Sequence, residues 1–486
     1  MEAVSSMELS LSEDILRPLF NASSSTELEQ ALEILIESSR SASGRSELAL
    51  KDVLPIVLRL CQSLPYPSGR QYLILSLKLL RNLCAGERLN QNSFIEQNGA
   101  VIVSNVLRSV EKASDPNSNS GILRTGVQVL ANVSLAGEEH QRVIWDRLFP
   151  EKLLLLGTVR SREVCDPFCM VLYACIDGNP KLVVELCGET GLPIVAEVLR
   201  TASAVGFGED WLKLLLSRIC LESVHLPLLF KMLYGVEGTE SPFSSEQAFL
   251  LKIVSEILSE RIREISVPHD SALFVLEIFK KAVGVVDSVQ RVKSGLPTGS
   301  SLIDVLGYSL TILRDICAQD GVVDHGPIPM DLVDKLVSNG LLTLLLCLLR
   351  VLEPPAMIRK AMKQSELQEP ISSRSSKQCV YIGFRRDIVA VIGNCAYGRK
   401  HVQDEIRERN ALLLMLQQCV ADDENPFLRE WGIWSVRNLL EGNDENQRVV
   451  AELEVQGTVD VPELTEIGLR VEVDHKTHRA KLVNLS

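Results

Sequence analysis

Leu79-Leu80-Arg81-Asn82-Leu83-Cys84, then Asn90-Gln91, then Asn98-Gly99 and the apolar stretch from Val101 to Val110, is the phrase on which the reading of this chain turns. It reads as an apolar helix ending at an Asn, a break, a polar start, a second apolar helix, a Gly and a Leu-rich helix. The phrase returns as Val129-Leu130-Ala131-Asn132-Val133-Ser134 with Gln141 to Trp145 after it. It returns again as Val171-Leu172-Tyr173-Ala174-Cys175, with Asn179-Pro180, Gly191 and Pro193 to Leu199 following. Ile312-Leu313-Arg314-Asp315-Ile316-Cys317, with Asn339-Gly340 and Leu341 to Leu349, is a fourth copy. Val391-Ile392-Gly393-Asn394-Cys395 and Ser435-Val436-Arg437-Asn438-Leu439-Leu440 complete the series.

The register residues 82, 132, 174, 315, 394 and 438 lie 50, 42, 141, 79 and 44 apart. A period in the low-to-middle forties is that of armadillo and HEAT repeats. The 141-residue interval leaves room for two degenerate copies between Thr201 and Ser300, and Trp211 to Leu233 and Glu246 to Ile265 are amphipathic there. The expected fold is therefore an all-α armadillo/HEAT-like solenoid, in which each repeat buries its apolar face against the next. Five segments are expected: N-terminal helices with a Ser-rich flexible part over 1–50, partly degenerate repeats over 51–352, a mobile inserted loop over 353–383, further repeats over 384–474, and a tail over 475–486. Polar breaks are expected at Ser38 to Ser46 and at Ala113 to Gly121.

Composition narrows the function. Of 486 residues, 46% are hydrophobic, 23% charged and 5% aromatic, a balance that folds rather than one that stays disordered. The net charge of −13 and pI near 5.2 offer no basic field for a phosphate backbone, so nucleic acid is not expected as a partner. Leu341 to Leu349 is too short to cross a bilayer, which needs about 20 apolar residues. The N-terminus from Met1 to Glu13 is acidic and Ser-rich, without the basic start and apolar run of a secretory signal. Twelve cysteines stand singly, without a CxxC pair, and are expected to be reduced core residues of a cytoplasmic protein.

The C-terminal hundred residues resemble a known family. Phe384-Arg385-Arg386-Asp387 with Ile392-Gly393-Asn394, then Asp422-Asp423-Glu424-Asn425-Pro426-Phe427-Leu428-Arg429-Glu430-Trp431, then Val436-Arg437-Asn438-Leu439-Leu440-Glu441-Gly442-Asn443 and Asn446-Gln447 are similar to the C-terminal domain of ataxin-10. The resemblance implies a non-catalytic armadillo-fold adaptor, cytoplasmic, tied in animals to signalling, cell survival, neurite outgrowth and cytokinesis. It implies protein partners and no cofactor, and it carries over no catalytic residue. The alternative from a different class is a structural subunit, or a solenoid that self-associates into a homo-oligomer.

Several residues carry candidate chemistry. The amides of Asn82, Asn132, Asn394 and Asn438 hold both donor and acceptor, so they can grip the backbone of an extended peptide in a groove, with Trp434 and Arg437 beside them. They can equally bond to loop backbones inside the repeat stack. Lys78, Gln128 and Ala390 stand where a nuclear-import receptor of this shape would repeat Trp434, which argues against that function. Trp431 is expected to anchor packing while Trp434 lies nearer the groove. Ser372, Ser373, Ser375 and Ser376, around Arg374, form a candidate regulatory cluster. Asp422 to Phe427 lacks the glycine turn and distal Glu of a calcium loop, so Asn425 is expected to cap the Trp431 helix with Pro426 in its first turn. His475 and His478 have no third ligand at metal spacing, and no metal site is assigned. Phosphate-loop, nucleophile-elbow and zinc-helix motifs do not occur, and Gly206-Phe207-Gly208 lacks the strand that dinucleotide binding requires.

Overall fold

The computed structural model describes residues 16–19, 26–111, 116–234, 241–288, 291–319, 331–365, 377–453, 469–474 and 479–484. These fall into two compact units. The first comprises residues 1–219 with 228–233, and the second 220–227 with 234–486. Each is a stack of helices.

In the first unit the helices run α1 (Thr26–Ser38), α2 (Ala42–Leu50), α3 (Val53–Ser63), α4 (Arg70–Leu83), α5 (Arg88–Glu96), α6 (Gly99–Glu111), α7 (Pro116–Ser134), α8 (Glu138–Leu148), α9 (Glu151–Gly157), α10 (Arg162–Ile176), α11 (Pro180–Cys187), α12 (Leu192–Val205), α13 (Asp210–Leu216) and α14 (Leu226–Met232). Every third helix packs against the next of its kind, α1 on α4, α4 on α7, α7 on α10 and α10 on α13. The second unit holds α15 (Ser245–Glu260), α16 (His269–Val285), α17 (Ser301–Ala318), α18 (Leu332–Ser338), α19 (Leu341–Val351), α20 (Ala356–Ser365), α21 (Phe384–Ala396), α22 (Lys400–Glu408), α23 (Leu412–Leu416), α24 (Leu428–Leu440) and α25 (Asp444–Ala451). Its long helices stack in the order α15, α17, α21, α24. The fold is a helical-repeat solenoid in its architecture, and α13 and α15 stand where the two degenerate copies are expected.

A shared turn explains the phrase read from the sequence. After α4, α10, α21 and α24 the chain turns through Gly86, Gly178, Gly398 and Gly442, with φ of +70°, +71°, +66° and +67°. Glycine meets no Cβ penalty there. The polar residues that follow then cap the helix just ended. Asn90 Nδ2 donates to the Leu83 carbonyl at 3.0 Å and Gln91 Nε2 to that of Cys84 at 3.0 Å. Asn446 Nδ2 reaches the Leu439 carbonyl at 2.8 Å and Gln447 Nε2 that of Leu440 at 2.7 Å. A helix end leaves four carbonyls without intrahelical partners, and these amides supply the missing donors. Gln91 and Gln403 also reach forward, donating to the carbonyls of Asn132 at 3.0 Å and Asn438 at 2.8 Å, so one side chain ties two repeats.

Four expectations change on the structure. Ser38 to Ser46 is not a flexible break, because Ser41 caps α2 by accepting from the Gly44 N–H at 3.0 Å. The 353–383 span is not one loop: it contains α20, a bridge between Leu352 and Lys377, and the buried side chains of Cys379 and Tyr381. The expected tail over 475–486 belongs instead, with the end of the 384–474 segment, to an antiparallel hairpin, β1 (Leu469–Asp474) on β2 (Arg479–Asn484). Leu469, Val471 and Val473 alternate with Arg470, Glu472 and Asp474, a period of two that suits a strand and not a helix. The all-α reading holds for the repeats, and this hairpin is an addition to it. His475 and His478 lie outside the described residues. Gly121 lies within α7, so the expected break from Ala113 to Gly121 is narrower than its bounds.

Among the described residues no single helix is long and apolar enough to cross a membrane. The Leu-rich α19 buries Leu341, Leu342, Leu345, Leu346 and Leu349 in the core and meets α18 at a 59° bend.

Close approach fixes α24. A Cβ on Gly432 would lie 2.4 Å from the Gln418 carbonyl oxygen, and one on Gly393 would lie 2.2 Å from Ser435 Oγ. Gly432→Ala therefore drives a methyl into backbone that cannot swing away, and should destabilise the chain by about 2–3 kcal/mol in urea unfolding. An unchanged midpoint would show that α24 has room to shift.

His140 is fully buried on α8. Burial, then the nearby Arg88 charge, hold its imidazole pKa below the ordinary 6.5. The unfolded chain thus takes up a proton below about pH 6.5 that the folded chain resists, so stability is level above that pH and falls beneath it. His225 is shifted the same way by burial. Comparing unfolding free energies at pH 7.5 and pH 5.5, His140→Leu should lose less stability on acidification than the parent chain does.

Candidate protein-binding surface

The four Asn amides sit on the ends of stacked helices, and their geometry is specific. Asn132 Nδ2 on α7 donates to the Arg81 carbonyl on α4 at 2.8 Å. Asn394 Nδ2 on α21 donates to the Arg314 carbonyl on α17 at 3.0 Å, and Asn438 Nδ2 on α24 to the Gly393 carbonyl on α21 at 3.0 Å. Asn82 on α4 reaches back to α1, meeting the Ile36 carbonyl at 3.4 Å and Ser39 Oγ at 3.0 Å. Each bond falls one residue before the register position of the preceding helix.

That choice of carbonyl has a local cause. The last turns of α1, α4 and α21 tighten, with Arg40 N–H on Glu37 O, Ala85 N–H on Asn82 O and Tyr397 N–H on Asn394 O. Tightening takes away the N–H that would have served the carbonyls of Ile36, Arg81 and Gly393. The Asn of the next repeat serves them instead.

Asp315 occupies the register position on α17 and cannot donate. There the rung inverts: Ser259 Oγ on α15 donates to Asp315 Oδ2 at 2.6 Å, and Arg314 holds Oδ1 at 2.8 Å. Ala174 on α10 has no polar group to offer.

The structure thus places the amide nitrogens of Asn82, Asn132, Asn394 and Asn438 on neighbouring backbone. Asn438 is buried, and the other three are half-buried. Trp434 and Arg437 are different. Trp434 is 56% exposed, one turn before Asn438, and the Arg437 guanidinium carbon lies 5.1 Å from its ring centroid. Trp431 on the same helix is half-buried. Ser372, Ser373, Ser375 and Ser376 lie outside the described residues.

The remaining residues of the family-like string form a buried polar knot. Arg385, 3% exposed, gives one guanidinium nitrogen to Gln418 Oε1 at 3.2 Å and another to the Glu353 carbonyl, with Asp422 Oδ2 at 3.9 Å from Nε. Tyr381 Oη donates to Asp387 Oδ2 at 2.9 Å, and Gly383 N–H to the Glu424 carbonyl at 2.9 Å. A buried cation is tolerated only when so surrounded. Asn425 does not cap the Trp431 helix, as the sequence suggests. Its Oδ1 accepts the Arg385 N–H at 3.0 Å and so caps α21, forty residues earlier. Pro426 stays outside α24, which begins after Phe427 in a left-handed conformation, φ +65°. Asp422 is occupied by Asn425 Nδ2 at 3.0 Å and the Glu424 N–H at 3.1 Å, which leaves it no role as a calcium ligand. This knot is what sequence reading missed. The signal was present as a shared string, but its meaning depends on two segments meeting.

Nucleophilic chemistry finds little purchase. Burial pushes the thiols of Cys61, Cys175 and Cys187 up to about 12. The sulfurs of Cys317 and Cys395 lie 3.6 Å apart in the core with no disulfide between them. Among the described residues no group of three His, Cys, Asp or Glu is disposed to hold a metal ion.

Residues 384–482 match the model of the spinocerebellar ataxia type 10 protein domain. The chain is 28% identical to ataxin-10 of Bos taurus over 461 residues, covering 92% of this chain and 87% of that one. It is 26% identical to ataxin-10 of Homo sapiens over 460 residues, with the same coverage. An ataxin-10 homolog of Dictyostelium discoideum is 38% identical over 91 residues, 19% of this chain and 15% of its own. Among solved structures, a designed armadillo repeat protein in complex with the peptide (KR)4 is 15% identical, with a TM-score of 0.30 over 50% of this chain and 99% of its own.

Asn394→Ala with Asn438→Ala should lower stability by about 1–3 kcal/mol, because two helix-end carbonyls lose their donors. Trp434→Ala should leave the unfolding midpoint nearly unchanged. Urea unfolding of the two variants side by side checks both outcomes.

Proposed function

We propose that this chain, ataxin-10-like along most of its length, works as a non-catalytic scaffold that binds other proteins in the cytoplasm. The observation that carries the reading is the uncovered face of the stacked helices. Lys78 on α4, Gln128 on α7, and Met170 and Tyr173 on α10 stay half-exposed among buried Leu and Val, and Trp434 does the same on α24. Large side chains left uncovered at helical spacing in successive repeats make an extended contact surface rather than an enclosed pocket. The resemblance to ataxin-10 supports roles in signalling, cell survival or cytokinesis.

The second reading, a self-associating or structural subunit, has its own observation. At the start of α24 Phe427 is 67% exposed in a left-handed conformation, and Ile433 is exposed on the same helix. Exposed apolar groups in strained backbone suit a permanent interface.

Light scattering on the purified chain, alongside affinity capture with quantified stoichiometry from native cells, separates the two. A monomer that captures a stoichiometric partner is the expected result. A stable homo-oligomer without such a partner would replace the scaffold reading with the second one.

A further inference from the structure

The stacked helices of the first unit carry opposite charges at the two ends of one face. On α4 the Arg81 guanidinium is held by neutral oxygens, Asn82 Oδ1 at 2.9 Å and Gln128 Oε1 at 3.3 Å. Lys78 lies one turn before Asn82, and Arg124 on α7 lies one turn before Gln128. Two helices further along, Asp166 on α10 and Asp210 at the start of α13 bring carboxylates together beside an aromatic pair. That pair is Tyr173 and Trp211, ring centroids 6.0 Å apart and tilted by 48°. Asp166 and Tyr173 are seven residues apart, two turns along the same face of α10. Between the two ends, Arg124 pairs with Glu163 at 3.2 Å, and Arg162 is engaged by Glu209 at 2.9 Å.

Each end is an arrangement of like charges, which a folded protein has no reason of its own to assemble. Burial, and then Arg124, hold the Arg81 pKa below its ordinary value. Burial, and then Glu209 and Asp210, raise that of Asp166. Both shifts mark a charge that an opposite charge from outside would relieve.

We infer that this face takes an extended segment of a partner protein bearing a Lys or Arg and, about six residues away, an Asp or Glu. The cationic side chain lies against Tyr173 and Trp211 with Asp166 and Asp210 around it, and the carboxylate meets Arg81 and Lys78. An aromatic face attracts a cation, and a guanidinium takes a carboxylate in a fork. Neighbouring packed helices stand about 8–10 Å apart, so the two patches are roughly 20 Å apart, and an extended chain covers about 3.3 Å per residue. The inference rests on the scaffold reading and names the chemistry of its partner.

The test uses the full chain and labelled twelve-residue peptides of Gly, Ser and Ala, read by fluorescence anisotropy. Two carry an Arg pair and a Glu pair six residues apart, one in each order. Controls carry only Arg, only Glu, or both pairs adjacent. One of the two spaced peptides should bind at least about tenfold more tightly than every control, because both patches are then engaged. Trp211→Ala and Arg81→Gln should each weaken it severalfold. Asp166→Asn should weaken it too while raising, or leaving unchanged, the melting temperature of the free chain. A packing role for Asp166 would lower it. Equal binding of the Arg-only peptide, or binding of neither spaced peptide, overturns the inference. Native partner capture unaffected by Trp211→Ala and Asp166→Asn would also overturn it while leaving the scaffold reading in place. Absence of any stoichiometric partner would remove the scaffold reading itself.

Discussion

A helix that stops inside a stack leaves carbonyl groups that water cannot reach, and everything else in these two units is arranged around serving them. An unpaired buried carbonyl costs on the order of 1–3 kcal/mol. A chain that ends a helix every fourteen or so residues meets this demand repeatedly. Its answer is the primary amide. Asn90, Gln91, Asn446 and Gln447 serve the helix just ended, while Asn132, Asn394 and Asn438 serve the helix of the repeat before. Gln403 serves both at once, giving Nε2 to Ala396 O at 3.3 Å and Asn438 O at 2.8 Å. The apolar side chains make the stack favourable, and the amides set its register.

The periodicity of this solution is why the fold was legible. Apolar spacing, the Gly after each long helix and the recurrent Asn are all local in sequence, so Asn82, Asn132, Asn394 and Asn438 could be aligned by eye. What the amides bond to was not legible. A donor on α24 meeting a carbonyl on α21 is a tertiary fact, and Asn offers the same chemistry to a peptide or to its own neighbour. Asn425 shows the difficulty most clearly. An Asn-Pro pair before a helix reads as the cap of that helix, yet Phe427 turns left-handed and Asn425 caps the helix that begins at Phe384. Ser41 is a milder case, a serine-rich run that is the start of a helix rather than a gap.

The family-like string divides by role once its partners are seen. Arg385, Asp387, Asp422 and Asn425 are buried and hold the chain around α21 together. Trp434 and Arg437 point outward. A string shared among relatives therefore mixes residues that make the scaffold with residues free to meet something else. The exposed members are the better guide to partners, since loss of the buried ones would remove the surface along with whatever it binds.

The inverted rung at Asp315 has a consequence for how such chains can lengthen and shorten. Asn rungs are interchangeable, since each needs only a backbone carbonyl from the helix before it. Asp315 needs a donor, and finds it in Ser259. A recombination that placed the Asp315 repeat after α4 would set its carboxylate against the Arg81 carbonyl, acceptor against acceptor. The repeat that begins near Ser301 is thus tied to one predecessor. Duplication or loss of repeats can pass through the Asn-bearing copies, while this copy and its neighbour are inherited as a pair.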